Sequence, residues 1–356
     1  MDAKGWMEKG VDWYGKSQFE EALNCFERGL TLEPEHPAGL FFKGLCLTEL
    51  NRDEETIETL QKAIQLRNPF PEAWFYMGLS YRKLQKWSEA LNCFDKAVDE
   101  DSKDPESWNA RGETLVNLEK YEEAGRCFDN AVRLNPELLA PWLNMANLMG
   151  ITLNRHAEAL PAYDRVLDLD PMNFVAWANK GICLYHIGDF PRALDSLNKA
   201  LMLNSNHAGS WWMKGNSLNG IGRFAEAIDC YDRAMALDPR FWGACSKKVD
   251  CLFFLGRYRE TVSTADQILN RKGVSANALF KKGFSLIKLG SPREALPCFE
   301  EGLLVEPDHP EGWYGKGICY KVLKKNQEAE ECLKMAMELD PRIQEAFKTV
   351  LVGGTF

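Results

Sequence analysis

Five histidines, eleven cysteines and several paired carboxylates are the residues of this 356-residue chain whose types could do chemistry. A thiol and an imidazole in one pocket make a nucleophile with its base, or two ligands of a zinc ion. Neighbouring carboxylates such as Glu20-Glu21, Glu54-Glu55 and Glu122-Glu123 suggest the acid and base of glycoside hydrolysis. Gly215, Gly220 and Gly222 have the look of a loop that cradles phosphate. Each set dissolves once its spacing is followed along the chain.

The reason is a period. EALNCF at 21–26 returns unchanged at 89–94, and related hexapeptides begin at 55, 123, 158, 192, 226, 260, 294 and 328. The units so marked start at residues 3, 37, 71, 105, 139, 174, 208, 242, 276 and 310, a step of 34 broken once by 35. Sustained self-similarity in this range is the mark of a solenoid, in which each unit packs on its neighbours. Cys25, Cys93, Cys127, Cys230, Cys298 and Cys332 all take position 23, and Cys46, Cys183, Cys251 and Cys319 take position 10. Equivalent sites meet equivalent packing, so these are expected to be buried, reduced thiols serving as small apolar residues. His36, His207 and His309 close their units, His156 stands at a turn, and only His186 maps to the inner side. The acid pairs begin second helices, where carboxylates suit the positive end of the dipole. Gly215 is a packing glycine, and Gly220 and Gly222 mark a turn. No His-Glu-x-x-His, nucleophile-elbow or Walker pattern occurs. No enzyme activity, cofactor or metal is expected.

One unit shows the elements that this pattern builds. In residues 71–104, Trp74, Met77, Gly78 and Tyr81 recur at helical spacing, and Trp87, Ala90, Leu91, Phe94, Ala97 and Val98 form a second run. Leu84-Gln85-Lys86 is the turn between them, making an αα-hairpin. Glycine at position 8 of most units costs about 1 kcal/mol in a helix, so it must let the second helix approach closely. Alanine at position 20 reads as the matching surface. Prolines such as Pro136 and Pro239 end second helices, and Pro37, Pro71, Pro105 and Pro310 start first helices.

Tryptophan at position 4, Gly at 8, Ala at 20, an aromatic at 24, Ala at 27 and Pro at 32 resemble the tetratricopeptide repeat. The resemblance covers residues 3–343. It implies an all-α, right-handed superhelical solenoid of about ten helix-turn-helix units with the first helices on the concave side. The seven tryptophans at position 4 read as scaffold packed between helices. The tail, 344–356, reads as a capping helix with Ala346, Phe347 and Val350 on one face, and no comparable cap precedes the first unit.

In this family positions 2, 5, 9, 12 and 13 face inward, and function is expected there. Those positions nominate Phe41, Phe75, Arg82, Asn109, Glu113, Asn147, Ile182, Tyr185, Trp212, Asn216, Phe280, Phe284 and Tyr314 as a partner-binding groove, aromatic at both ends and rich in asparagine in the middle. Asparagine offers donors and acceptors to a peptide backbone, and aromatic patches mark partner sites. Lysine is absent from position 5 and asparagine at position 6 is limited to Asn144 and Asn179. That argues against the chaperone-tail and sugar-transferase specialisations of the family.

Net charge is −9 with no basic tract, which argues against nucleic acid, and no apolar run is long enough to span a bilayer. A cytoplasmic location is expected. The reading is a non-enzymatic scaffold or adaptor that binds a protein or peptide segment with apolar anchors. The alternatives are self-association through the uncapped N-terminus and a regulatory subunit of a larger enzyme. Two units depart from the pattern. The fifth has an extra residue near Thr152-Leu153-Asn154, expected as a loop bulged from the turn. The eighth, with Cys245, Val249, Thr261 and Ala265 replacing consensus residues and Gly273 in place of proline, is expected to be a weak link.

Overall fold

The structure, a computed structural model, describes residues 1–273 and 275–344. The proposed capping helix lies outside the described residues. Two compact units divide the chain, Met1–Met172 and the part from Asn173 onward.

In the first unit the first helices of successive repeats are α1 (Ala3–Gly15), α3 (Pro37–Glu49), α5 (Pro71–Lys83), α7 (Pro105–Asn117) and α9 (Leu139–Asn147). They alternate with the second helices α2 (Phe19–Leu32), α4 (Asp53–Leu66), α6 (Trp87–Glu100), α8 (Tyr121–Leu134) and α10 (His156–Leu169). The second unit repeats the scheme with α11 (Phe174–His186), α13 (Ala208–Gly220), α15 (Ala244–Phe254), α17 (Ala276–Lys288) and α19 (Pro310–Val322). Their partners are α12 (Phe190–Leu203), α14 (Phe224–Leu237), α16 (Tyr258–Lys272), α18 (Pro292–Val305) and α20 (Asn326–Leu339). Among the described residues there is no strand. Within each unit a first helix packs on its own second helix, on the preceding second helix and on the next first helix. Second helices make no comparable contact with one another. A stack whose one layer touches itself and whose other layer spreads apart curves with the touching layer inside.

The glycine at position 8 makes room for the side chain at position 24, a ring in five repeats and leucine in three, rather than for alanine. A Cβ on Gly78 would lie 2.7 Å from Phe94, on Gly112 2.5 Å from Phe128, and on Gly215 2.6 Å from Tyr231. In each case the clash is with the residue at position 24, fully buried or nearly so. The eighth repeat inverts the pair, with Val249 on the first helix and Ala265 on the second, both fully buried. They join Cys245, Ile268 and Ala278 in a core cluster. Of the departures from the pattern in this repeat, Val249 and Ala265 are therefore a volume exchange across one contact. That repeat starts differently too, since a 3-10 turn, Pro239–Gly243, precedes α15.

The extra residue of the fifth repeat does not loop out. It is taken up as a π-helical turn, Leu148–Thr152, that continues α9 with Leu148 and Gly150 buried. The Leu153 N–H donates to the Leu148 carbonyl at 2.9 Å and the Arg155 N–H to the Met149 carbonyl at 2.7 Å. A wider turn keeps the backbone bonded where a bulged loop would leave polar groups open, and such turns commonly stand at functional sites.

Tryptophan at position 4 is half-buried, and in four repeats its indole N–H donates to a carbonyl six residues earlier, while Trp74 donates to the Glu100 carboxylate at 3.1 Å. Trp108 donates to Ser102, Trp142 to Pro136, Trp211 to Ser205 and Trp313 to Pro307, at 2.7–3.0 Å. Lysine three residues on covers the ring in several repeats, as Lys214 does for Trp211 at 5.2 Å. These tryptophans clamp the turn between repeats, which packing alone did not imply.

Candidate functional site

The first-helix face of the first unit has an aromatic part and a polar part. Tyr14, Phe42, Phe41, Tyr76 and Phe75 follow one another with ring centroids 5.4–6.4 Å apart, from α1 across α3 to α5. All five are half-buried, packed on the core clusters beneath them. Their position is set by buried neighbours, since Phe41 lies 5.0 Å from Phe70 and Phe75 lies 5.9 Å from Phe94. The strip is thus a surface layer held by the core beneath it. Burial first, then Glu49, Tyr76 and Cys46, push the Tyr14 phenol up to about 12. That shift marks apolar, electronegative surroundings.

The polar part centres on Glu113 of α7. One of its carboxylate oxygens accepts from the Arg82 guanidinium of α5. The other accepts from the amides of Asn109 at 3.0 Å and Asn144 of α9 at 2.8 Å. Asn144 also donates to the Asn109 oxygen at 3.0 Å, and the Asn117 amide donates to the Glu113 carbonyl at 2.9 Å. The network ties three successive first helices together. Arg82 and Glu113 cancel in charge, each with about a third of its side chain exposed. Beside it a cleft is lined by Glu113, Asn117, Asn144, Asn147, Leu148 and Thr152, so the π-helical turn forms part of its wall. Asn147 accepts from the Tyr163 hydroxyl at 2.9 Å, which fixes it toward its own second helix.

Of the residues nominated from the sequence, the first unit brings Phe41, Phe75, Arg82, Asn109, Glu113 and Asn147 onto this face. The second unit treats its nominees differently. Ile182, Tyr185 and Trp212 are half-exposed, with Trp212 5.9 Å from Phe241. Asn216 is buried and accepts from the Tyr231 hydroxyl at 3.0 Å. Phe280 (1% exposed), Phe284 (2%) and Tyr314 (9%) belong to the core. Phe280 lies over Gly302 and Gly312, Phe284 meets Phe299 at 5.0 Å, and Phe299 fills the space beside Gly315. These four are corrections to the expected groove: Phe280 sinks into the space left by Gly302 and Gly312, Phe284 packs on Phe299, Asn216 turns to the Tyr231 hydroxyl, and Tyr314 is buried in the same core cluster as Phe280. The nominated groove leaves out Phe42, Tyr76 and Asn144, which stand at position 6, and Tyr14 at position 12.

All eleven cysteines are buried, and burial pushes the thiols of Cys46, Cys93 and Cys319 up to about 12. Thiols so shifted are poor nucleophiles. Two histidines are helix caps. His36 Nδ1 accepts from the Gly39 N–H at 2.9 Å, and His207 Nδ1 from the Ser210 N–H at 3.2 Å. Among the described residues no group of three or more His, Cys, Asp or Glu is placed to hold a metal ion. None of the described helices is long and apolar enough to cross a membrane.

Comparisons with known proteins agree on the architecture. Tetratricopeptide-repeat family models match residues 75–138, 151–210, 184–240, 276–309 and 310–343. The model for anaphase-promoting complex, cyclosome, subunit 3 matches residues 15–97. A search of curated proteins gives no match. Among solved structures, the C-terminal part of a TPR repeat-containing protein from Cytophaga hutchinsonii is 14% identical, with 65% of this chain and 95% of that one covered and a TM-score of 0.56. A tetratricopeptide repeat protein from Parabacteroides merdae is 17% identical over 66% of this chain and 93% of that one, with a TM-score of 0.50. YrrB, described as a TPR protein with an unusual peptide-binding site, is 22% identical over 51% of this chain and 94% of its own, with a TM-score of 0.48. At these identities the solved structures speak for the fold alone. With family models matched along the array and every described repeat built as a helix hairpin, the chain belongs to the tetratricopeptide repeat family.

Proposed function

We propose that the chain is a non-enzymatic interaction scaffold that takes an extended segment of a partner protein along the first-helix face of its first unit. The observation that carries this reading is the aromatic strip running from Tyr14 to Phe75, half-buried and ending on α5, the helix that also carries Arg82 of the Glu113 network. Contiguous apolar surface of this kind is unusual unless something covers it. Rings anchored in the core lose little freedom on binding, and a network already bonded to itself adds no reorganisation. The strip suits apolar anchors, and the amides beside it suit the backbone of the bound segment.

Selection of a random 12-residue display library against the full chain tests the reading. Selected peptides should lose at least tenfold in affinity with Phe75→Ala and keep their affinity with Trp212→Ala in the second unit. Equal affinity for both variants would move binding off this face and refute the assignment. A second reading is self-association through the first repeat, where Met7, Val11, Phe26, Ala38 and Phe42 line an apolar cleft and Val11 is 44% exposed. Light scattering across a concentration series decides it, and a constant monomer mass would eliminate it.

A further inference from the structure

At the far end of the aromatic strip lies a second cleft, between α5 and the turn that leads into α7. Phe75 and Tyr76 form one wall, and the start of α7 with the preceding turn forms the other. Four carboxylates line it, those of Glu72, Asp101, Asp104 and Glu106, against the single ammonium of Lys103. Two of the four already have roles. Asp104 caps α7, accepting from the N–H groups of Glu106 at 3.2 Å and Ser107 at 2.9 Å, and Asp101 accepts from the Lys103 N–H at 3.0 Å. Glu72 and Glu106 are exposed, one on each side of the cleft, and neither forms an ion pair among the described residues. Glu49, on α3 behind them, is exposed too. Burial first, then the charges of Glu106 and Glu49, pushes the Tyr76 phenol up. The other cations nearby are engaged elsewhere. Arg82 is held by Glu113, Lys83 reaches Asn51 at 3.2 Å, and Arg67 lies over Phe70 at 4.3 Å.

An aromatic wall under excess negative charge selects for a cation. A ring face attracts a guanidinium or ammonium, and carboxylates on either side complete its ion pairs. We infer that the segment bound by this scaffold places an arginine or lysine side chain in the cleft between Tyr76 and the 101–107 turn, with Glu72 and Glu106 as its counter-ions. The inference rests on the proposed function and adds the charge of the partner to it. The apolar anchors of the segment lie on the strip from Tyr14 to Phe75, and its cation follows at the α5–α7 end. Net negative charge on the chain adds attraction at a distance, so association falls as salt screens it.

The test uses the full chain and peptides taken from the 12-residue library. A leading peptide is resynthesised with citrulline for arginine, or acetyl-lysine for lysine, which keeps its length and removes the charge. Binding is measured by fluorescence anisotropy to wild type and to the Glu72→Gln/Glu106→Gln variant, whose exposed substitutions leave the fold in place, as circular dichroism checks. A shared basic position, a loss of about tenfold with the neutral isostere, and disappearance of that loss in the double variant together support the inference. Peptides that need Phe75 but carry no basic residue, or whose affinity ignores the double variant, overturn the inference and leave the proposed function standing. Absence of any selected peptide overturns both.

Discussion

Glycine 112 and glycine 125 stand in the same helix hairpin, and the structure gives their replacement by alanine opposite signs. A Cβ on Gly112 would meet Phe128 at 2.5, 2.8 and 3.0 Å from three ring carbons. Phe128 is 1% exposed and held in the hairpin core, with one edge on the cleft beside Glu113. Overpacking of this kind costs about 1–3 kcal/mol, here toward the upper end, while alanine regains about 1 kcal/mol of helix propensity. Gly112→Ala is therefore expected to destabilise by about 1–2 kcal/mol. A Cβ on Gly125 has only Leu148 near it, at 3.9 Å, so propensity alone acts and Gly125→Ala should stabilise by about 0.5–1 kcal/mol. Long arrays depart from two-state unfolding, so urea melts of the full chain need hydrogen exchange on α7 and α8 to place the effect. The eighth repeat supplies an internal control. Gly112→Val and Phe128→Ala together rebuild the Val249–Ala265 pair, and the double variant should lose at least about 1 kcal/mol less than the two single losses combined. If both alanine variants stabilise, or if the double variant is simply additive, the ring is not the reason for the glycine.

Other consequences are open to measurement. The turn residue after each first helix is left-handed, with φ 59° at Glu119 and 76° at Gly222. Glu119→Gly should stabilise and Gly222→Ala destabilise, each by about 1 kcal/mol in thermal melts, and a null result at Gly222 counts against the strain argument. Burial lowers the His207 imidazole from its ordinary 6.5, and a proton on Nδ1 would break the cap on α13. The unfolded chain then binds the proton more readily, so the contribution of His207 is present above about pH 6.5 and is lost as pH falls below it. His207→Asn, which caps without titrating, should flatten that part of the stability profile, and an unchanged slope refutes the assignment. Buried thiols, with Cys46 and Cys93 pushed up to about 12, should react with a disulfide reagent only as fast as the chain opens. A rapid burst from the native protein contradicts that burial.

The sequence by itself determined the repeat, its hairpin and the nature of its cysteines. Those follow from local periodicity and from the recurrence of one residue type at one position, and both are present in a linear string. It also carried half of the first-helix face of the first unit, since Phe41, Phe75, Arg82, Asn109 and Glu113 sit where the register puts them. Tertiary structure alone decided which aromatic residues stay at the surface. Phe75 and Phe280 share position 5, yet Phe280 sinks between glycines of α18 and α19 while Phe75 remains on the strip. The difference lies in residues more than twenty positions away, which the period does not record. The same holds for Val249 and Ala265, where two apparent losses of consensus cancel only because they touch. It holds also for the π-helical turn, where one inserted residue chose a bonded backbone over a loop.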